Sequence, residues 1–193
     1  MKGLKELQNI IKLKIKYNMT DKYSATYGNK NPLIRLFFKL KTSIAINLAN
    51  LKEGDHILDF GCGAGYLKNK LKGKGHNAQG YDITPHQSDV GDYTTLKPNK
   101  IFVLDVFEHI PLEEIKNIIQ NFKNMNSRFE LITIIPTENW ISRKSRKLLG
   151  KSEKVEGHIT SLKDILRVLK KELRLVKKIN FLSISYIAKF KNI

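Results

Sequence analysis

The sequence predicts an α/β protein with a doubly wound, mostly parallel sheet, an antiparallel last strand and helices on both faces. Short, nearly all-apolar runs alternate with helical runs, as in a parallel sheet whose strands are buried on both faces. A glycine-rich loop over residues 61–65 joins the first of these runs to a helix. The two closing β-rich runs are too near each other for a helical crossover, which predicts an antiparallel pair.

The predicted elements follow one another from residue 33 to residue 190. Asn31 is a typical N-cap and Pro32 a typical first helical residue, so a helix is predicted to begin there. Ser161, with Asp164 three residues later, has the spacing of another helix start. The predicted helices are 33–51, 66–72, 111–124 and 162–172, and the predicted strands are 56–60, 77–81, 100–104, 129–135, 173–180 and 182–190.

Residues 1–31 are predicted to form a basic helical extension, and residues 32–193 a single domain. Four apolar residues recur at helical spacing among lysines, which predicts an amphipathic helix over residues 4–17: Leu4, Leu7, Ile11 and Ile15. Such a helix can cover the core of its own domain or lie on a membrane surface.

The composition limits the class of protein. The chain has 193 residues, 41% of them hydrophobic, which is enough to bury one core. Cys62 is the single cysteine, so no internal disulfide can form, and we expect a cytoplasmic protein. No apolar run approaches the roughly 20 residues of a membrane-spanning helix.

The net charge of +17 is concentrated in the two ends of the sequence. Residues 1–50 carry ten basic and two acidic side chains (+8), residues 51–140 ten and twelve (−2), and residues 141–193 fifteen and four (+11). Of the 35 basic residues six are arginine, which leaves 29 lysines. Lysine is a point charge, so the excess favours diffuse attraction of anionic partners over bidentate recognition, unless it only reflects a lysine-rich composition.

The glycine loop and one acid form the most specific pattern. Gly61, Gly63 and Gly65 remove Cβ atoms where a ligand must approach the backbone, and the N-terminus of the next helix favours anionic groups. Asp82 follows the second strand, in position to accept hydrogen bonds from ribose hydroxyls. Dinucleotide binding is the alternative, but the third glycine of its motif is replaced by Tyr66 or Lys68, depending on the register.

The chain resembles the class I S-adenosylmethionine-dependent methyltransferases, in particular those of type 11/12. The resemblance depends on the motifs above and on the run Phe102 to Pro111 (FVLDVFEHIP). The resemblance covers roughly residues 32–190 and implies a seven-stranded sheet with an antiparallel last strand. It implies that the loop and the acid before it bind the methionine part of S-adenosylmethionine, that Asp82 and Ile83 bind the ribose side, and that Asp105 lines the methyl-transfer pocket. The implied methionine-side residues are Asp59, Gly61, Cys62, Gly63 and Gly65.

One region departs from the family pattern. Eighteen residues separate Asp82 from Ile101, too few for the helix and further strand that the family places there. The stretch around Asp92 and Tyr93 resembles the family's adenine-contacting turn, which implies that Asp92 binds the adenine amino group, with Asp89 as the alternative. A shortened sheet edge would leave the adenine more open to solvent.

A second group of side chains follows the fourth strand of the family pattern. Asp105, Glu108 and His109 have the spacing i, i+3, i+4, and His158 lies in a loop expected to return to the same edge. The first three resemble the E-x-x-E-H motif of metal-using O-methyltransferases, with an aspartate first, and together with His158 they are candidate ligands of a divalent metal. The alternatives are a general base, His109 or His158 with Glu108, or a structural role for either histidine.

The acceptor is predicted to be anionic. Six basic residues surround Leu148 and Leu149 between Trp140 and Lys154, where the family usually builds its acceptor lid. We expect a small or lipid-like acceptor, oxygen as the methylated atom, and peripheral binding to an anionic membrane as a further option. RNA is the second candidate. A cofactor-binding partner protein without activity is the third, motivated by the shortened sheet edge.

Overall fold

A computed structural model describes residues 26–137 and 157–193. The four helices within these ranges are α1 (Pro32–Ala49), α2 (Tyr66–Lys72), α3 (Leu112–Met125) and α4 (Leu162–Glu172). The six strands are β1 (His56–Phe60), β2 (Asn77–Tyr81), β3 (Lys100–Leu104), β4 (Glu130–Pro136), β5 (Leu173–Phe181) and β6 (Ser185–Asn192). The predicted helix over residues 4–17 and the basic segment from Trp140 to Lys154 lie outside the described residues.

The six strands form one sheet in the order β2-β1-β3-β4-β6-β5. Strands β1 to β4 are mutually parallel, whereas β6 runs antiparallel to both β4 and β5. The predicted mixed sheet is therefore confirmed. The seven strands implied by the resemblance are wrong for the described residues, because the short connection between β2 and β3 forms only two 3₁₀ turns.

Helices cover both faces of the sheet. On one face, α1 and α2 pack against Ile57, Phe102 and Ile132. On the other face, α3 and α4 pack against the alternate residues, which include Leu58 and Ile101. This alternation places every central strand between two apolar layers, and explains why the strands read as nearly continuous apolar runs.

Element boundaries differ from the predicted ones where the backbone turns left-handed. Asn50 has φ +50° and ends α1 two residues before the predicted end at residue 51. Leu182 and Ser183 have φ of +52° and +56°, so they form the hairpin turn, and β6 begins three residues later than predicted. At the start of α1, the Asn31 side chain accepts a hydrogen bond from the N–H of Leu33, as its N-cap prediction requires.

Asp89 covers part of the outer edge of β2. Asp89 donates its backbone N–H to the carbonyl of Gly80 (2.8 Å), and its Oδ2 accepts from the N–H of Gly80 (3.0 Å). Lys68 holds the same carboxylate through its Nζ, 2.6 Å from Oδ1. Asp89 thus imitates, over one residue, the pairing that an additional strand would provide.

Within the described ranges, no helix combines the length and the apolar character needed to span a membrane.

Candidate active site

The glycine loop after β1 is held in a left-handed backbone conformation. Gly61, Gly63 and Gly65 have φ of +76°, +50° and +79°. A Cβ on Gly61 would lie 2.5 Å from Cγ2 of Val106, the residue that follows Asp105. Glycine is therefore required at position 61 both by its backbone conformation and by the close approach of the loop after β3.

Asp82 lies beside this loop, as the sequence predicts. Its Oδ2 accepts a hydrogen bond from the N–H of Gly63 (2.9 Å), and its Oδ1 accepts from the N–H of Thr84 (2.9 Å). The half-buried Ile83 follows it. The carboxylate is thereby fixed at the end of β2 next to the bare backbone of the loop, where the resemblance places the ribose.

Asp59 lies beneath the loop on β1 and is 4% exposed. Its Oδ2 accepts a hydrogen bond from the N–H of Lys68 in α2 (3.1 Å). Burial raises the pKa of Asp59 to about 7, against the opposing effect of that hydrogen bond and of the Lys68 charge. The carboxyl group therefore changes its protonation near neutral pH.

Cys62 fills space within the loop. Its side chain is buried, with Sγ 3.4 Å from the carbonyl oxygen of Gln87. Burial raises the pKa of the thiol to about 12, so at neutral pH it is not a thiolate. Cys62 therefore has a packing role in the loop and is unsuited to act as a nucleophile.

The predicted adenine-side residues, Asp92 and Tyr93, have different surroundings in the structure. Asp92 is exposed, and its Oδ1 caps the turn at Tyr93–Thr95 by accepting from the N–H and the hydroxyl of Thr94. The ring of Tyr93 packs against Phe60, and its hydroxyl accepts a hydrogen bond from Asn121 (2.8 Å). Adenine binding by Asp92 and Tyr93 stays a prediction. The alternative residue, Asp89, is already engaged by Gly80 and Lys68.

Asp105 comes directly after β3 and has φ +55°, an unusual conformation for a residue with a Cβ. Its Oδ2 lies 2.6 Å from Nζ of Lys41, a residue of α1. Lys41 is 3% exposed and was missed in the sequence because lysines are common throughout the chain. The available signal was its position on the same helical face as the buried Ala45 and Leu48.

Tyr27, just before α1, is the second residue that sequence reasoning missed. Its ring stacks on that of Tyr66, with centroids 3.9 Å apart, and its hydroxyl lies 2.7 Å from Oγ1 of Thr42. Burial raises the pKa of this phenol. Since Tyr66 is the first residue of α2, this contact joins the start of α1 to the end of the glycine loop.

Glu108, His109 and His158 converge, as predicted. Their candidate ligand atoms lie within 4.8 Å of one another, and the two imidazole centroids are 4.8 Å apart. Asp105, the fourth predicted metal ligand, is outside this group, because its carboxylate pairs with Lys41. The loop carrying His158 is fastened to the turn Phe107–His109, since the N–H groups of Ile159 and Thr160 donate to the carbonyl of Glu108.

His109 is oriented by the main chain of that loop. Its Nδ1 lies 2.9 Å from the carbonyl oxygen of Gly157. A carbonyl only accepts, so Nδ1 carries the proton in this contact and Nε2 of the neutral ring carries the lone pair. Nε2 lies 4.0 Å from Oε1 of the buried Glu108.

Comparison with known proteins identifies the family of the chain. A family model described as a methyltransferase domain matches residues 34–181. No curated protein matches the sequence.

Solved structures share the fold at low sequence identity. Magnesium protoporphyrin IX methyltransferase from Synechocystis PCC 6803, with bound SAH, has a TM-score of 0.66 at 19% identity, over 96% of this chain and 100% of that one. The PH0226 protein from Pyrococcus horikoshii OT3 has a TM-score of 0.66 at 15% identity, over 90% and 99% of the two chains.

A third structure was determined with cofactor product and substrate bound. Geranyl diphosphate C-methyltransferase from Streptomyces coelicolor A3(2), in complex with Mg²⁺, geranyl diphosphate and S-adenosyl-L-homocysteine, has a TM-score of 0.58 at 10% identity. The match covers 83% of this chain and 82% of that one.

The mixed sheet, the glycine loop and the acid after β2 define a class I S-adenosylmethionine-dependent methyltransferase. The chain belongs to the methyltransferase-domain family and is an enzyme of that class.

Proposed function

We propose that this enzyme methylates an oxygen atom of a small or lipid-like anionic acceptor, with His109 as the general base. The observation that carries the proposal is the hydrogen bond between Nδ1 of His109 and the carbonyl of Gly157, which leaves the lone pair of the neutral ring on Nε2. A base assists methyl transfer when the acceptor is a hydroxyl.

The residues around the glycine loop fit S-adenosylmethionine. Between Gly61 and Gly65 only Cys62 and Ala64 carry side chains, and the Asp82 carboxylate beside Gly63 suits a ribose diol. Asp59 lies on β1 two residues before Gly61, where the resemblance places the methionine part of the cofactor. When bound, S-adenosylmethionine supplies an electrophilic methyl group on a sulfonium.

The chain's own residues then provide alignment and proton removal. Much of the acceleration in an in-line displacement comes from holding the acceptor in reacting geometry. His109 takes the acceptor's proton on Nε2, and the Glu108 carboxylate, 4.0 Å away, favours the imidazolium that results. His158 contacts the edge of the His109 ring and restricts its orientation.

Charge supports an anionic acceptor. The chain carries +17, with the excess in the sequence flanks. The structural neighbour that binds geranyl diphosphate handles an anionic, lipid-like substrate with the same fold, although at 10% identity only the fold is shared. Diffuse lysine charge attracts such a molecule, or an anionic membrane surface, without selecting its shape.

The test is transfer of radiolabelled methyl groups from S-adenosylmethionine to a panel of acceptors. The panel pairs each anionic hydroxylated acceptor with its neutral counterpart, and includes anionic vesicles and RNA. We expect incorporation into anionic small or lipid-like members, and a loss of about 10²- to 10⁴-fold in kcat for His109→Ala. Incorporation only into RNA, falling steeply with salt, would instead favour the second candidate. Cofactor binding without incorporation into any acceptor would favour a partner role.

A divalent metal is the alternative use of the same side chains. Glu108, His109 and His158 lie close enough to share one ion, which would lower the pKa of an acceptor hydroxyl. Chelator-treated protein distinguishes the two mechanisms. If activity falls and returns with added divalent ion, metal assistance replaces the general-base mechanism, whereas unchanged activity supports His109 as the base.

A further inference from the structure

Helix α1 carries a stripe of exposed apolar side chains. Leu33, Leu36 and Leu40 are 66%, 51% and 46% exposed. At 3.6 residues per turn, these three leucines and the half-buried Phe37 fall within an arc of about 100° around the helix, apart from the face that carries the buried Ala45. A contiguous patch of this kind on a protein surface marks a site of interaction.

The stripe continues onto the turn between β5 and β6. The ring of Phe37 stacks on that of Phe181, with centroids 5.5 Å apart, and the next residue, Leu182, is 62% exposed. Ser185 pairs with Pro136 at the end of β4, so this turn lies at the same edge of the sheet as the glycine loop. We call the combined surface the apolar face, which consists of Leu33, Leu36, Phe37, Leu40, Phe181 and Leu182.

The chain around the apolar face is basic throughout. Residues 26–52, which include α1, contain five basic and no acidic residues, and residues 173–193, which include the hairpin, also contain five basic and no acidic residues. Lys30 and Lys39 are exposed beside the leucines. Exposed apolar side chains among lysines are typical of surfaces that bind anionic membranes, where the apolar groups enter the interface and the cations attract the headgroups.

Charge distinguishes this occupant from two others. Residues 1–25, which include the predicted amphipathic helix, carry six basic and two acidic residues (+4), and a second copy of the chain carries +17. Each would bring positive charge to a surface that is already positive. An anionic bilayer brings the opposite charge and an apolar layer for the leucines.

We propose that the apolar face docks on an anionic membrane surface. The leucines of α1 and Leu182 enter the interface, and Lys30 and Lys39 contact anionic headgroups. The inference rests on the proposed lipid-like acceptor, because it names the surface on which the enzyme meets that acceptor. Since the hairpin turn and the glycine loop share one edge of the sheet, docking places the cofactor edge near the lipid.

The test is flotation of the full chain with vesicles of phosphatidylcholine alone and of phosphatidylcholine mixed equally with phosphatidylglycerol. We expect the mixed vesicles to bind at least about 10-fold more tightly, and salt to weaken the binding. Leu36→Gln should weaken it about 5- to 30-fold and Lys39→Gln about fivefold. Binding without a preference for anionic vesicles would overturn the inference, as would binding that Leu36→Gln leaves unchanged.

The matched control is Ile193→Gln, which also replaces an exposed apolar residue. Ile193 is 85% exposed and follows β6 at the opposite edge of the sheet, where Lys191 pairs with Glu130 at the start of β4. This variant should bind vesicles as the wild type does. Equal losses in Ile193→Gln and Leu36→Gln would show that the contact is not specific to the apolar face, and would overturn the inference.

A fluorescent label at position 36 tests the other two occupants. Leu36→Cys takes an environment-sensitive thiol label, while Cys62 is buried, and wild-type protein treated with the same label is the control. A blue shift of the emission that requires anionic vesicles supports docking on the membrane. Blue emission before vesicles are added would overturn it, in favour of a second copy if dilution removes the effect and of residues 1–25 if dilution does not.

Vesicle binding is measured without acceptor or cofactor, so its outcome is separate from that of the proposed function. Wild-type protein that methylates an anionic acceptor but binds no anionic vesicles refutes only this inference. Wild-type protein that binds the vesicles through Leu36 but methylates only RNA refutes the proposed acceptor, while docking of the apolar face stands.

Discussion

The N–H of Gly63 donates a 2.9 Å hydrogen bond to Oδ2 of Asp82, which joins two stretches of chain nineteen residues apart at one edge of the sheet. A backbone without side chains and a carboxylate meet there. We expect this pairing to favour a ribose diol over an anionic group, because a carboxylate accepts hydrogen bonds from hydroxyls and repels anions.

Asp82→Ala is expected to weaken S-adenosylhomocysteine binding by about 10- to 100-fold or more, because hydrogen bonds to a charged acceptor are lost. Isothermal titration measures the change. Glu113→Gln, an exposed acid on α3, is the control and should leave binding unchanged. Wild-type affinity in Asp82→Ala would contradict the assignment of the ribose site.

Gly61→Ala and Gly54→Ala form a matched pair. Both glycines have positive φ, +76° and +83°, but a new Cβ meets Val106 at position 61 and nothing within 4 Å at position 54. We expect Gly54→Ala to lower the free energy of unfolding by about 1–2 kcal/mol and Gly61→Ala by about 2–4 kcal/mol. Urea denaturation measures both changes. Equal destabilisation would show that the Val106 contact relaxes freely.

Cofactor affinity should rise between about pH 6 and pH 8. Burial raises the pKa of Asp59 to about 7, and a cationic ligand beside it favours the ionised form, so binding releases a proton. Titration in buffers of different ionisation enthalpy detects this proton. In Asp59→Asn the pH dependence should vanish, and its persistence would assign the proton to another group.

The same pKa shift predicts how Asp59 affects folding. A carboxyl group ionises near pH 3.8 without these surroundings, so between about pH 4 and pH 7 the folded state binds more protons than the unfolded state. The contribution of Asp59 to stability therefore falls as the pH rises through that window. Asp59→Asn should remove this decline in urea denaturation measured across the range. A decline of the same size in the variant would contradict the prediction.

Asp89 should stabilise the protein above pH 4 and lose that contribution as the pH falls. Partial burial opposes ionisation, but hydrogen bonds from Lys68, Gly80 and Lys72 hold the pKa lower, at about 2. The stabilisation is fully present above the unfolded value near 3.8 and disappears toward pH 2. Asp89→Asn should lower the free energy of unfolding at pH 6 by about 1 kcal/mol, and by progressively less below pH 4.

Glu130 tests whether the effect of Asp89 is local. Its pKa is also lowered to about 2 despite partial burial, by Lys100, Lys189 and Lys191. If the two carboxylates act independently, the losses in the free energy of unfolding caused by Asp89→Asn and Glu130→Gln should add at each pH. The double variant should then show the weakest dependence of stability on pH below pH 4. If the difference in the free energy of unfolding between the wild type and Asp89→Asn stayed constant from pH 6 to pH 2, the lowered pKa of Asp89 would be contradicted.

Local sequence patterns predicted the parallel strands of the sheet and the loop and acid that follow them. The loop from Gly61 to Gly65 and Asp82 were visible because each follows an apolar strand, and parallel strands bring their carboxyl ends to one edge. The approach of His158 to His109 was predicted for the same reason. These relations depend on topology, which apolar periodicity and turn residues determine.

The contacts that the sequence did not reveal all depend on tertiary packing. Lys41 is one lysine among 29, and only the position of α1 over the sheet makes it buried. The pairing of Asp89 with Gly80 replaces a strand, and no local pattern distinguishes a residue that covers an edge from an ordinary loop acid. The sequence also did not reveal that the carboxylate of Asp105, a predicted metal ligand, accepts a hydrogen bond from Lys41, 64 residues earlier.

The contact between His109 and Gly157 has a consequence for how this protein can vary. The carbonyl oxygen of Gly157 determines which tautomer His109 adopts. Because this oxygen belongs to the main chain, no amino-acid substitution removes it. Gly157 itself, with φ +87°, tolerates few replacements. Insertions or deletions around residue 157 are therefore the changes most able to misalign the imidazole of His109. Substitutions of side chains that contact the acceptor leave the hydrogen bond to Gly157 in place.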